Sequence, residues 1–224
     1  MTGKIKLPAL LLAAIMLLAA CREPAPDSVP VLAVTNGEPG DNNDAEYFGP
    51  FYRGEIDGDT YASGFIGISF TLPGENWGFA DDDAIAGMMG AGAEIIADEG
   101  VDFAAAYFLL YEMFAKNYID DSHVMVMLED LSITSPGILL SPGAYLELLK
   151  TQLEAGELFD YTFQDDSEIT IGEQTWLVLS VGVDIMGTQA EQHYLVRRQG
   201  SYMIVIVVSL AGDLSFDEIM EHFS

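Results

Sequence analysis

Acid–base and metal chemistry is sought first at histidine, and this chain has three: His123, His193 and His222. They fall on different predicted elements, and none sits in the His-Glu-x-x-His spacing that puts two imidazoles on one helix face for zinc. His193 lies in an alternating segment where Gln189, Glu191, Leu195 and Arg197 share its face, which predicts a mostly polar, exposed sheet surface around it. A serine nucleophile needs a sharp strand-to-helix turn. Gly67-Ile68-Ser69-Phe70-Thr71 lacks the closing glycine of that elbow and falls inside a strand pattern. Neither a phosphate-cradling Gly-rich loop with Lys-Ser/Thr nor a dinucleotide fingerprint is present. With 36 Asp and Glu against 8 Lys and Arg, a pair of carboxylates at glycosidase distance has no diagnostic value. Asp81-Asp82-Asp83, Asp57-x-Asp59 and Asp41-x-x-Asp44 offer hard oxygen ligands, yet none fits the twelve-residue calcium loop, and capping and turn formation account for them. The reading expects no catalytic residue, no metal and no cofactor.

Binding chemistry has more to work with. Trp77, Phe79, Tyr107, Phe108, Tyr111 and Phe114 are spaced either to fill a core or to line a groove between sheet and helices. Trp77 stands just past a predicted strand end. Arg197 and Arg198 are two of only six basic residues beyond residue 20, placed either to clamp an anionic ligand or to pair with nearby acids. Trp77, His193 and Arg197 are therefore the candidate ligand-binding residues.

The strongest motif lies at the N-terminus. Lys4 and Lys6 precede the apolar run Leu7–Ala20, 14 residues long, short of the roughly 20 needed to span a hydrocarbon core. Charge followed by a short apolar run is the order of an export signal. The run ends in Leu18-Ala19-Ala20-Cys21, which resembles the lipobox of bacterial lipoproteins. That resemblance implies cleavage after residue 20 and acylation of Cys21 with chains such as palmitate. Each buried CH₂ contributes about 0.8 kcal/mol, so two or three chains would anchor the protein to the membrane. Cys21 is the only cysteine; committed to lipid, it leaves no thiol for catalysis or metal binding. Loss of residues 1–20 removes two lysines and no acid, leaving 6 basic and 36 acidic groups and a formal charge of −30. Such a field repels nucleic acid and anionic headgroups.

Residues 22–47 carry Pro24, Pro26, Pro30 and Pro39 with Asn36-Gly37 and Asp41-Asn42-Asn43-Asp44, the composition of a tether. A single domain then spans 48–224. Ile66, Ile68, Phe70 and Leu72 alternate as a strand ended by Pro73-Gly74, and Tyr52–Ile56 with the turn Asp57-Gly58-Asp59 predicts its hairpin partner. Ile85–Ile96 has helical spacing after three aspartates. Tyr107–Phe114 and Val124–Leu128 read as strands. Ser141-Pro142 opens a helix with Tyr145, Leu146, Leu149 and Leu153 on one face and Gly156 at its stop. Three strands follow, 175–184, 188–198 and 202–209, the last two a hairpin and the last apolar on both faces. Ser215 and Glu218 form a capping box for a terminal helix.

Strands, helix, strands, helix, strand meander and helix in this order give an α+β fold, an antiparallel sheet flanked by helices. The lipobox, the tether, Gly67-Ile68-Ser69-Phe70-Thr71-Leu72-Pro73 before Trp77, the central helix, and Tyr194-Leu195-Val196-Arg197-Arg198-Gln199-Gly200 before an apolar strand together resemble secreted bacterial lipoproteins with the PsbP-like fold, over residues 52–224. The resemblance carries fold signatures and no catalytic motif. It implies a membrane-tethered extracytoplasmic accessory domain, in the periplasm or at the cell surface, that binds an envelope protein or a small molecule and is not an enzyme. The alternatives are an envelope hydrolase using carboxylates or His193, and a calcium-stabilised surface protein.

Overall fold

The computed structural model describes residues 52–81, 84–85, 109–131, 140–155, 160–185 and 188–224, and period-two alternation builds more than half of them. The predicted signal segment, Cys21 and the predicted tether lie outside these residues. A three-stranded antiparallel sheet is formed by β1 (Glu55–Asp57), β2 (Thr60–Ser63) and β3 (Ile68–Thr71) in that order. The eight-stranded sheet consists of β4 (Trp77–Phe79), β5 (Leu109–Asn117), β6 (His123–Asp130), β7 (Asp160–Phe163), β8 (Ser167–Ile171), β9 (Gln174–Ile185), β10 (Thr188–Gln199) and β11 (Tyr202–Leu210). Its order is β4-β5-β6-β11-β10-β9-β7, with β8 also paired to β9. Every strand pair is antiparallel. The helices are α1 (Pro142–Ala155) and α2 (Phe216–Met220).

The sheet is covered on both faces, and its residues divide by parity. Met203, Val205 and Val207 of β11 join Leu179, Val181, Tyr194 and Val196 in a core under α1, which contributes Tyr145, Leu146, Leu149 and Leu153. Burying those four helix side chains stabilises the docked helix by at most about 6–12 kcal/mol. Ile204, Ile206 and Val208 join Leu195, Trp176 and Val178 in a second core, closed by Tyr61, Ile66, Ile68 and Phe70 of the small sheet and Ile219 next to Phe223 of the C-terminal segment. Flanked between β6 and β10 and buried at all but its first residue, β11 is the central strand that its two-sided apolar pattern predicts.

Local signals place the ends of the elements. Ser141 Oγ accepts the Ala144 N–H at 3.2 Å, opening α1. Gly200 turns the β10–β11 hairpin at φ 58°, with Gln199 opposite Tyr202. Ser215 and Glu218 form the reciprocal capping box of α2. Asp81 Oδ1 accepts the Ala84 N–H at 2.8 Å, starting a helix whose remaining predicted residues lie outside the described ones, as do Tyr107, Phe108 and Gly156.

Three expectations are corrected. The turn at Asp57-Gly58-Asp59 joins β1 to β2, and the partner of β3 is β2; the predicted strand 66–72 starts only at Ile68 because residues 64–67 form the β2–β3 turn. Two strands, β7 and β8, lie at the edge of the sheet beside β9 where none is predicted. The face of β10 that carries His193 is covered by the small sheet and α2 and is not an exposed polar surface. Alternation fixes which side chains share a face; it does not say what packs on that face. Among the described residues no helix is long and apolar enough to cross a membrane.

Candidate functional site

The polar groups singled out in the sequence come together on one face of β9 and β10, beneath the second layer. His193 is 6% exposed. Opposite Ser180 in the strand register, its Nδ1 shares a 2.8 Å hydrogen bond with Ser180 Oγ. Its ring stacks on Phe216 of α2 at 4.0 Å between centroids and 18° between planes. Burial pushes the imidazole below its ordinary pKa, with Glu191 opposing, so the ring is held neutral. Nε2 has no hydrogen-bond partner and lies 3.6 Å from Glu191 Oε2. Serine, histidine and carboxylate have the composition of a nucleophile relay. Here the carboxylate stands beyond hydrogen-bond reach, Phe216 covers a face of the ring, and Ser180 sits in mid-strand with its carbonyl accepting Gln164 N–H at 3.0 Å.

Arg197 lies four residues further along β10, on the same face. Its guanidinium sits 5.0 Å from the ring centroid of Trp176, donating Nη2–H to the Ile66 carbonyl at 2.6 Å and to Gln199 Oε1 at 2.8 Å. Nη1 donates to Gln174 Oε1 at 3.2 Å, and Gln199 Nε2 donates to the Phe65 carbonyl at 2.6 Å. All these acceptors are neutral; among the described residues no carboxylate lies within ion-pair distance of Arg197. Burial lowers its pKa, yet a guanidinium remains charged. The geometry makes Arg197 and Gln199 a latch between the large sheet and the Phe65–Ile66 turn of the small one. Arg198 points to the other side, with Nε–H to the Gly200 carbonyl at 3.0 Å and Nη1–H to the Leu140 carbonyl at 3.2 Å.

Trp77 opens β4 opposite Asn117, and its ring, 7% exposed, belongs to the second core. Phe79 packs on that core, Tyr111 lies in the first and Phe114 packs against it. Of the candidate groove-lining aromatics, the four that are described thus fill or pack on cores. Among the described residues no cluster of three or more His, Cys, Asp or Glu side chains is arranged to hold a metal; Asp41, Asp44, Asp82 and Asp83 lie outside them.

Sequence reasoning passed over Glu112. It is the extra residue of a β-bulge in β5, between Tyr111 opposite Met127 and Met113 opposite Val126. The bulge reverses the in–out parity, so that Tyr111 faces the first core while Met113 and Ala115 reach the second and Phe114 faces the first. Glu112 is 1% exposed. Its Oε1 accepts Gly54 N–H at 2.6 Å and the Tyr61 hydroxyl at 3.0 Å, while Oε2 has no hydrogen-bond partner. Burial pushes its pKa up against those two donors and Arg53. A single acid in the apolar run 107–114 is the one sequence signal that could have marked it.

No protein-family model and no curated protein matches the chain. Among solved structures, the chain is similar to the solution structure of cyanobacterial PsbP (CyanoP) from Synechocystis sp. PCC 6803. The sequence identity is 15% and the TM-score 0.45, over 74% of this chain and 90% of that one.

Proposed function

We propose that the protein is a lipid-anchored extracytoplasmic accessory domain of the PsbP-like kind, held to a bacterial membrane through Cys21 and acting by binding rather than turnover. The observation that carries this reading is the engagement of the most chemically capable side chains. Arg197 and Gln199 tie the turn of one sheet to the face of the other, and His193 is stacked beneath Phe216. Groups occupied in joining layers are poor candidates for a reacting centre, which needs them turned toward substrate. Cys21 and the tether supply the address, the −30 charge of the processed chain keeps the domain off anionic surfaces, and the partner is an envelope protein or a small-molecule ligand.

The test has two arms in the producing cells. Labelled palmitate is expected in the membrane-bound protein and lost, with membrane retention, in Cys21→Ala. Crosslinking of the anchored protein is expected to give a partner that Cys21→Ala no longer contacts. Label absent from the wild-type chain sinks the anchor. A specific observation favours one second reading, an envelope hydrolase: the 2.8 Å Ser180–His193 hydrogen bond. Turnover of an ester or peptide by purified protein, abolished alike by Ser180→Ala and His193→Gln with the fold intact, would establish it in place of the binding reading.

A further inference from the structure

Resting on the binding reading above, the geometry points to the β5–β6 loop, with Tyr118 and Ile119 at its tip, as the docking surface for a protein partner presenting an apolar pocket rimmed by basic side chains. These two neighbours, 68% and 73% exposed, are the most exposed of the large hydrophobic residues described. One exposed apolar side chain needs no explanation; two adjacent ones on a loop fixed from every side do.

The loop is fixed as follows. Asn117 N–H donates to the Ser122 carbonyl at 2.8 Å and Asp121 N–H to the Asn117 carbonyl at 3.1 Å. Asn117 Oδ1 accepts Ile119 N–H at 2.9 Å, and Asp120 Oδ1 accepts Ser122 N–H at 2.8 Å. Asn117 Nδ2 reaches Asp120 Oδ2 at 3.2 Å. Asp121 takes the left-handed conformation at φ 68° and pairs with Lys116. Outside the loop, Tyr118 N–H donates to the Asn76 carbonyl at 3.0 Å, and Ser122 Oγ accepts Ala211 N–H at 3.0 Å. The Tyr118 ring lies over Gly78 of β4, where a Cβ would meet its hydroxyl at 2.7 Å. A loop ordered in advance gives up little entropy on binding, and an exposed tyrosine is among the commonest interface anchors.

Charge selects the occupant. Lys116 balances Asp121, while Asp120 on the loop and Asp213 on the adjoining segment add negative charge beside the tip, within a chain of formal charge −28. An anionic bilayer and a second copy of the chain are repelled, and dipping Tyr118 into any bilayer would drag Asp120 with it. A cationic rim around an apolar pocket gains from both features.

The probe is a photoreactive phenylalanine analogue placed at position 118 of the full lipidated chain in the producing cells, with the same analogue at Ile56 and at Leu148 as controls. The expected result is one protein adduct from position 118 only, reduced at least tenfold by Ile119→Asp. It should fall by a similar factor in 1 M salt, where the screening length is about 3 Å. Ile119→Ser, a milder change at the same exposed site, should reduce it in the same direction, and circular dichroism of each variant confirms the fold. An adduct to lipid, to a second copy, or one indifferent to salt and Ile119→Asp overturns the proposal. Adducts only from Ile56 or Leu148 overturn the loop while sparing the binding reading; no adduct from any position, together with no product from a general crosslinker, overturns both.

Discussion

Arg197→Met is the substitution that most directly tests whether the face of β9 and β10 is a latch or a ligand site. Removing the guanidinium leaves Gln199 Oε1, on a side chain 3% exposed, and the Ile66 carbonyl without their 2.8 and 2.6 Å donor; stranding each costs about 1–3 kcal/mol. Loss of the contact with Trp176, at 5.0 Å, adds about 0.5–2 kcal/mol. Relieving a half-shielded cation that faces only neutral acceptors returns part of this. A net loss of about 3 kcal/mol is expected, or about 6–12 °C in Tm for a domain of this size. Arg197→Lys should recover less than half, because one ammonium on a flexible stem cannot reach three acceptors and stack on the indole. Urea unfolding is the assay, followed by the fluorescence of Trp77 and Trp176, the chain's only tryptophans, both buried. In parallel, 50 mM phosphate should shift wild type and Arg197→Met equally, since Nη1 and Nη2 are already held by protein acceptors and Nε is buried. A loss below about 0.5 kcal/mol, the range of ordinary surface substitutions, or a phosphate stabilisation found only with Arg197, would refute the latch.

Two further predictions concern pH. Glu112 has a folded pKa raised by burial, so folding is favoured below the ordinary carboxylate range, where both states are protonated, and weakened as pH rises and the unfolded chain ionises. Glu112→Gln keeps an acceptor for Gly54 and Tyr61; relative to wild type it should be more stable at pH 7 and no more stable at pH 4, in paired denaturation curves. His123 has the opposite sign. Its pKa is lowered to about 4 by burial, with its ring against Phe114, so the stability it secures is complete above about pH 6.5 and is lost as pH falls through about 4. His123→Gln should remove on the order of 3 kcal/mol of the decline between those pH values; an unchanged slope would show that the ring is not the group responsible.

What could be read in advance was local. Ser141-Pro142 and the apolar face of α1, the Ser215–Glu218 box, and the Gly200 turn between two apolar strands each carry their cause within a few residues. The edge strands β7 and β8 escaped because they are short and largely exposed, and a strand that takes its hydrogen bonds from the rim of β9 needs little apolar patterning of its own. The Glu112 bulge inserts one residue into an apolar run, where both parities look alike. Of the candidate site residues, the sequence placed His193 and Arg197 on one face, and the structure keeps them there. The layer above that face is made by β2, β3 and the turn between them, more than a hundred positions away, and by α2, beyond β11, and no period within β10 announces it. The loop tip at Tyr118 and Ile119 carries no periodic signal, since its apolar content is two residues.

The two ends of the domain are joined across the small sheet. Ser69 and Ser224 exchange backbone hydrogen bonds at 2.7 and 3.1 Å, and Thr71 N–H reaches the His222 carbonyl at 3.0 Å. The second layer therefore combines β1–β3 with the last residues of the chain, and contacts such as Ser69–Ser224 span 155 positions. Loops of that length must close before their contacts stabilise anything, which makes such folds slow to form. The second core therefore closes only once residues 219–223 have docked beside β3.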